Sequence, residues 1–228
     1  MNISEIYHSV QGEGQLQGTP SSFVRVAGCN LRCWFCDTPF ASWKPEGEDR
    51  SVSEILEEVE SHPTDHVVLT GGEPLLFAEM IPLTRQLHRM GKHITIETAG
   101  TLQLPVTCDL MSISPKLANS DPSLEKAPKW RARHQRDRYR PDVLHQLLGQ
   151  YPSQLKFVID KPDDVLEVEA YLSEFDYIRP DQIWLMPQGV EQRQLAAKQI
   201  WLKLECDRRG WHLCERKHIE WFGNLRGV

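Results

Sequence analysis

Apolar residues recur along this chain at two spacings. Alternation at every second position, the mark of a half-buried strand, runs over residues 3–10 and is broken by Gln11-Gly12-Glu13-Gly14. A β-branched and aromatic run follows at 22–26, closed by Gly28. Further short apolar runs predict strands at 66–70, 93–97, 110–114, 155–159, 182–186 and 211–214. Between them the spacing opens to that of a helix. Ser51 and Glu54 stand at capping-box distance ahead of the stripe Ile55, Leu56 and Val59. Residues 77–90 predict a helix closed by Gly91, and 163–174 and 191–209 predict two more. Short apolar strands alternating with helices mean a parallel α/β sheet.

A closed eight-unit barrel takes about 250 residues. The five or six strand–helix units counted in these 228 residues predict a partial, open (β/α) barrel instead. Its chemistry belongs at the carboxyl ends of the strands. Three polar or glycine-rich breaks stand there: Thr70-Gly71-Gly72-Glu73-Pro74, Glu97-Thr98-Ala99-Gly100-Thr101 and Ser114-Pro115-Lys116. Residues 118–152 interrupt the rhythm and predict an irregular insertion in a single domain spanning 1–228. Within it, residues 129–140 carry six Lys/Arg against one acid. The first reading of that run is a solvated helix or loop; the second is a docking patch for an acidic partner or an anionic substrate.

Composition adds bounds. Hydrophobic residues at 40% and charged residues at 25% exclude collagen, disorder and coiled coil. No run approaches the ~18 apolar residues of a membrane span. The start, MNISEIYHSV, lacks the basic and apolar regions of a signal peptide, so a soluble, cytoplasmic protein is expected. With 26 Lys/Arg against 32 Asp/Glu the formal charge is −6, which argues against nucleic acid as the main partner.

Cysteine changes the picture. Cys29, Cys33 and Cys36 fall within eight residues, while Cys108, Cys206 and Cys214 are scattered. Without a secretion signal, a tight group reads as metal or redox chemistry. A structural zinc takes four protein ligands; Asp37 adjoins the cluster, but no second ligand pair follows downstream. Three cysteines suit a 4Fe–4S cubane with one iron left open to chelate a substrate through amino and carboxylate groups. Zinc and three buried structural thiols are the alternatives. Cys206 and Cys214 read as small buried apolar side chains.

The segment Gly28-Cys29-Asn30-Leu31-Arg32-Cys33-Trp34-Phe35-Cys36 resembles the radical S-adenosylmethionine signature. Val10-Gln11-Gly12-Glu13-Gly14, Phe23-Val24-Arg25 and Cys36-Asp37-Thr38, together with the three strand-end breaks, resemble the 7-carboxy-7-deazaguanine synthase family. The likeness is ordered along residues 5–116 and thinner beyond. It implies a carbon–nitrogen lyase that contracts the ring of 6-carboxy-5,6,7,8-tetrahydropterin, with loss of ammonia, on the way to queuosine and other deazapurines. A 5′-deoxyadenosyl radical removes a hydrogen from C6, the ring rearranges and a hydrogen is returned, so S-adenosylmethionine acts as a regenerated cofactor.

By the same resemblance Cys29, Cys33 and Cys36 hold the cluster, and Phe35 lies near the adenine. Gly71, Gly72 and Glu73 receive the methionine amino group, glycine allowing close approach to a ligand and Glu73 pairing with the ammonium. Gly100, Ser114, Pro115 and Lys116 hold the adenosyl and carboxylate portions, and Gln188 touches the same cofactor. Val10, Gln11, Gly12, Arg25 and Thr98 are the substrate positions, Arg25 suiting a carboxylate bidentately. Thr38 is the magnesium position through its hydroxyl, although by residue chemistry alone Asp37 is the more natural metal ligand. The family pattern has serine where Ala99 stands here. Flavodoxin or ferredoxin is implied as electron donor, and a homodimer as the assembly. A glycyl-radical activase shares the cysteine loop and Gly-Gly-Glu, but has no evident use for Gln11-Gly12-Glu13-Gly14, Arg25 or Thr38. The aromatic and basic end, 216–224, reads first as a packed terminal strand, otherwise as a cover for the substrate or a dimer contact.

Overall fold

The alternating N-terminal run forms strand β1 (Asn2–Val10), which returns through the Gln11–Gly14 break to pair antiparallel with β2 (Pro20–Val26). A two-residue β3 (Glu48–Asp49) pairs with the outer edge of β1. In the computed structural model, which describes residues 1–125 and 127–228, β2 then begins a parallel series. It continues with β4 (His66–Gly71), β5 (His93–Thr98), β6 (Leu110–Ile113), β7 (Ser153–Ile159), β8 (Ile183–Pro187) and β9 (His212–Leu213). The order across the sheet is β3-β1-β2-β4-β5-β6-β7-β8-β9, with β3 and β9 as its two edges. The barrel is therefore open.

Parallel strands covered on both faces read as continuous apolar runs. Val67, Val68 and Leu69 of β4, Ile94 and Ile96 of β5, and Leu155, Phe157 and Ile159 of β7 are all fully buried accordingly. Each such side chain contributes about 1.5–3 kcal/mol of burial, and all of them but Val68 belong to one contiguous apolar cluster.

Helices cover the sheet. After the single turn α1 (Pro39–Ser42), α2 (Val52–Ser61) starts at the expected capping box. Ser51 Oγ accepts the Glu54 N–H at 3.3 Å and a Glu54 carboxylate oxygen accepts the Ser51 N–H at 2.7 Å. Helix α3 (Met80–Arg89) starts three residues later than the pattern predicts, because Pro74–Leu76 takes a 3-10 turn first.

The predicted irregularity of 118–152 is corrected. Apart from Lys126, which lies outside the described residues, the segment holds a 3-10 turn (Ala118–Ser120), α4 (Pro128–Asp137) and α5 (Pro141–Gln150). Helix α5 buries Val143, Leu144 and Leu147 and bridges β6 to β7, so it is an ordinary crossover helix. Helix α4 buries only His134, which is why no apolar stripe announces it. Then follow α6 (Pro162–Leu172) and α7 (Gln192–Arg209), close to their predicted places. The terminal segment is a short helix, α8 (Lys217–Phe222), instead of the strand favoured from sequence. Ile219 is buried and Trp221 is 43% exposed. No helix among the described residues is long and apolar enough to cross a membrane.

Candidate functional site

A cavity of about 750 Å³ opens at the carboxyl ends of the parallel strands, within the range of small-molecule sites. On one side lies the cysteine loop. Cys29, Cys33 and Cys36 all line the cavity and all are free thiols. Burial pushes the Cys29 and Cys33 thiols up to about 12, so both are protonated at neutral pH. Binding a metal centre there displaces protons.

The loop is fixed from outside. Arg32 donates through Nη1 to the carbonyls of Cys29 (2.8 Å) and Leu31 (2.6 Å), and its backbone N–H donates to His134 Nδ1 at 3.0 Å. The Trp43 indole donates to the Cys33 carbonyl at 2.9 Å. Trp34 donates from its backbone to Ser120 O and from its indole to Asn119 O. Among the described residues no three His, Cys, Asp or Glu side chains gather to grip a single ion. Asp37, the alternative fourth ligand, is taken up by Arg216 Nη2. Three soft thiols on one cavity wall fit a three-cysteine iron–sulfur cluster.

Phe35, Thr38, Gly71, Gly72, Ser114, Lys116 and Gln188 also line the cavity. The Thr38 hydroxyl lies 3.7 Å from Cys36 Sγ. Glycine is required at 71 and 72 by the chain itself: a Cβ on Gly71 would stand 2.5 Å from Val26 N, and one on Gly72 2.6 Å from Ala41 O. Lys116 Nζ donates to both Ser114 O and Ser114 Oγ at 2.6 Å, and Lys198 Nζ reaches the Gln188 side chain at 3.1 Å.

Glu73, Gly100 and Pro115 do not line the cavity; they stand behind it. The Glu73 carboxylate is fully buried and accepts three bonds, from Thr98 Oγ1 (2.8 Å), Ala99 N (2.9 Å) and Leu75 N (3.1 Å). Burial holds its carboxyl above the usual range. Gly100 takes a φ of +71°, where a Cβ would press on Ile113.

Val10, Gln11, Gly12, Arg25 and Thr98 line the same cavity. Gln11 donates to Ser21 Oγ at 2.9 Å. Arg25 Nε donates to Glu5 at 2.7 Å and Nη2 to the Tyr7 hydroxyl at 2.9 Å. The ring of Tyr7 in turn stacks on Phe23. This sets the guanidinium plane, and among the described residues Nη1 makes no hydrogen bond.

Sequence reasoning missed the charged floor. Lys156 is buried between Glu97 (2.8 Å) and Glu13 (3.1 Å); Arg216 Nε reaches Glu13 at 3.2 Å, and His218 lies 3.9 Å from the same carboxylate. Burial alone would raise the Glu13 carboxyl, but Lys156, then Arg216 and His218, outweigh it and hold it well below the usual range. Burial would likewise lower Lys156, yet Glu97 and Glu13 keep it charged. One signal was present, a lysine inside the apolar run Gln154-Leu155-Lys156-Phe157-Val158. Nothing near Arg216 pointed to residues 13 and 37.

A three-cysteine loop at the mouth of an open, mostly parallel sheet accords with the radical S-adenosylmethionine superfamily, whose model matches residues 23–127. The fold agrees with the crystal structure of QueE from Escherichia coli, at a TM-score of 0.72 and 24% identity, covering 94% of this chain and 92% of that one. The 7-carboxy-7-deazaguanine synthase of Rhodopirellula baltica is 45% identical over 227 residues, 99% of this chain and 88% of that protein. That of Halobacterium salinarum is 43% identical, covering 95% and 88%. The chain belongs to the 7-carboxy-7-deazaguanine synthase family.

Proposed function

We propose that this chain converts 6-carboxy-5,6,7,8-tetrahydropterin to 7-carboxy-7-deazaguanine with loss of ammonia, as a carbon–nitrogen lyase of queuosine and deazapurine biosynthesis. The observation that carries the reading is one shared cavity, lined by three free thiols and by the braced Arg25. Cys29, Cys33 and Cys36 would hold a 4Fe–4S cluster beside S-adenosylmethionine, which together supply a 5′-deoxyadenosyl radical when bound.

The chain's own residues position and exclude. Gly71 and Gly72 offer the methionine amino group a wall with no side chain, and Glu73 fixes that wall from behind through Thr98 and Ala99. Ser114, Lys116 and Gln188 serve the adenosyl and carboxylate portions, with Gly100 and Pro115 supporting that wall from behind, and Phe35 serves the adenine. Val10, Gln11, Gly12 and Thr98 frame the pterin while Arg25 takes its carboxylate; Glu5 and Tyr7 hold the guanidinium in place beforehand, which lowers the ordering cost of binding. The Thr38 hydroxyl serves magnesium, with Asp37 committed to Arg216. A flavodoxin or ferredoxin supplies the electron, the enzyme is a homodimer, and its compartment is the cytoplasm.

The test is anaerobic turnover of cluster-reconstituted protein with S-adenosylmethionine, dithionite, magnesium and the carboxytetrahydropterin, read by mass spectrometry. Many turnovers to 7-carboxy-7-deazaguanine with S-adenosylmethionine persisting are expected. Accumulation of only 5′-deoxyadenosine and methionine would overturn the substrate assignment and move the protein toward a glycyl-radical activase.

A further inference from the structure

Backbone hydrogen bonds leave the barrel open, with β3 and β9 as the free edges of the sheet. The chain beyond β9 crosses from one flank of the cavity to the other. Cys214 N–H donates to Leu185 O of β8 at 2.8 Å. Three residues later Lys217 N–H donates to Gly12 O, in the turn between β1 and β2, at 3.0 Å. A Cβ on Gly12 would stand 2.7 Å from His218 N, so the two segments lie in direct contact. Ile219, buried, anchors the crossing at its far end.

Arg216 stands in the middle of this crossing and is only 7% exposed. Its Nε donates to Glu13 at 3.2 Å, Nη1 to the Gly189 carbonyl and Nη2 to Asp37. Each acceptor belongs to a different segment of the cavity lining. Glu13 follows Gln11 and Gly12, Asp37 stands between Cys36 and Thr38, and Gly189 follows Gln188. Among the described residues no hydrogen bond joins any two of these three segments directly. Glu13 already has a cation in Lys156, at 3.1 Å. What Arg216 alone supplies is the link: a planar fork with donors in fixed directions, which sets its three acceptors at fixed distances and angles from one another.

We infer that Arg216 is a positioning residue: it holds the pterin, cluster and S-adenosylmethionine segments in register, so that the two small ligands bind as a coupled pair. The inference rests on the ring-contraction reading above, in which one hydrogen leaves C6 of the pterin and one is returned. Both transfers need contact distance, and a misplacement of about 1 Å costs on the order of 10²-fold in rate. A ligand that settles against one of the three segments settles the guanidinium, and the guanidinium settles the other two. The ordering cost left for the second ligand is then smaller.

The test compares reconstituted wild-type holoenzyme with Arg216→Lys, which keeps the positive charge but presents a single ammonium in place of the fork. Two ratios are read. The first is the coupling factor, from calorimetric titration of S-adenosylmethionine into the oxidised protein with and without 7-carboxy-7-deazaguanine. The second is the 5′-deoxyadenosine formed per 7-carboxy-7-deazaguanine in anaerobic turnover. A loss of folded protein moves neither ratio, so a merely structural role leaves both at the wild-type value. In the wild type the product is expected to tighten S-adenosylmethionine about fivefold or more, and S-adenosylmethionine to tighten the product by the same factor. Arg216→Lys is expected to bring that factor below about twofold and to raise the second ratio at least about tenfold. A wild-type value of either ratio in Arg216→Lys overturns the inference. So does a loss of affinity for the product alone with the coupling factor intact, which makes Arg216 a direct ligand of the pterin. A wild type without coupling overturns it as well, and one that forms no 7-carboxy-7-deazaguanine refutes the ring-contraction reading on which it stands.

Discussion

At the scale of single residues, the site is a set of side chains whose partners are already chosen. Glu73 shows this most clearly. Read along the chain it is a carboxylate after two glycines, suited to an ammonium; in the fold it takes three donors and is cut off from solvent. A glutamine there turns an N–H toward a donor and leaves a buried bond unmade, which costs about 1–3 kcal/mol. Glu73→Gln is therefore expected to lose about 2 kcal/mol in urea unfolding, and equal stability of the two proteins would refute that account. Lys156 was legible for the opposite reason, since a lysine in an apolar strand demands a buried partner. Which acids answered it was not, because Glu13 and Glu97 are 143 and 59 residues away.

At the scale of elements, legibility followed the source of each element's stability. Strands buried on both faces and the capped helix α2 carry their reasons locally, and the pattern placed them within a few residues. Helix α4 carries almost none, since its one buried side chain is a histidine held by bonds to distant loops. Burial lowers the His134 pKa to about 4 from its ordinary 6.5, with Asp121 opposing. The unfolded chain takes up this proton near pH 6.5 and the folded one only near 4, so protonation favours unfolding across that window. The contribution is fully present above pH 6.5 and lost as the pH falls toward 4. A His134→Ala variant is expected to be about 2 kcal/mol less stable at pH 7, with the gap narrowing as the pH drops. Urea titrations at several pH values measure this, and a gap independent of pH would exclude it.

At the scale of the whole molecule, the open parallel sheet was the easiest feature to foresee, because strand–helix alternation and chain length together leave few other solutions. One sheet and one apolar cluster predict one cooperative unfolding unit across residues 1–228. Far-ultraviolet dichroism and tryptophan fluorescence are expected to report the same transition on heating, and separated midpoints would divide the chain in two.

The ion network in the floor of the cavity also constrains the order in which the chain folds. Glu13 and Arg216 are 203 residues apart, and Asp37 and Arg216 are 179 apart. Contacts that distant require nearly the whole chain to be ordered before they return any free energy. The strands and their crossover helices are therefore expected to form first, with the salt links closing the cavity late. Losing one of those links accordingly speeds unfolding while leaving the folding rate almost unchanged. On that expectation, the part of the molecule that prepares it for chemistry is the last to arrive and the first to let go.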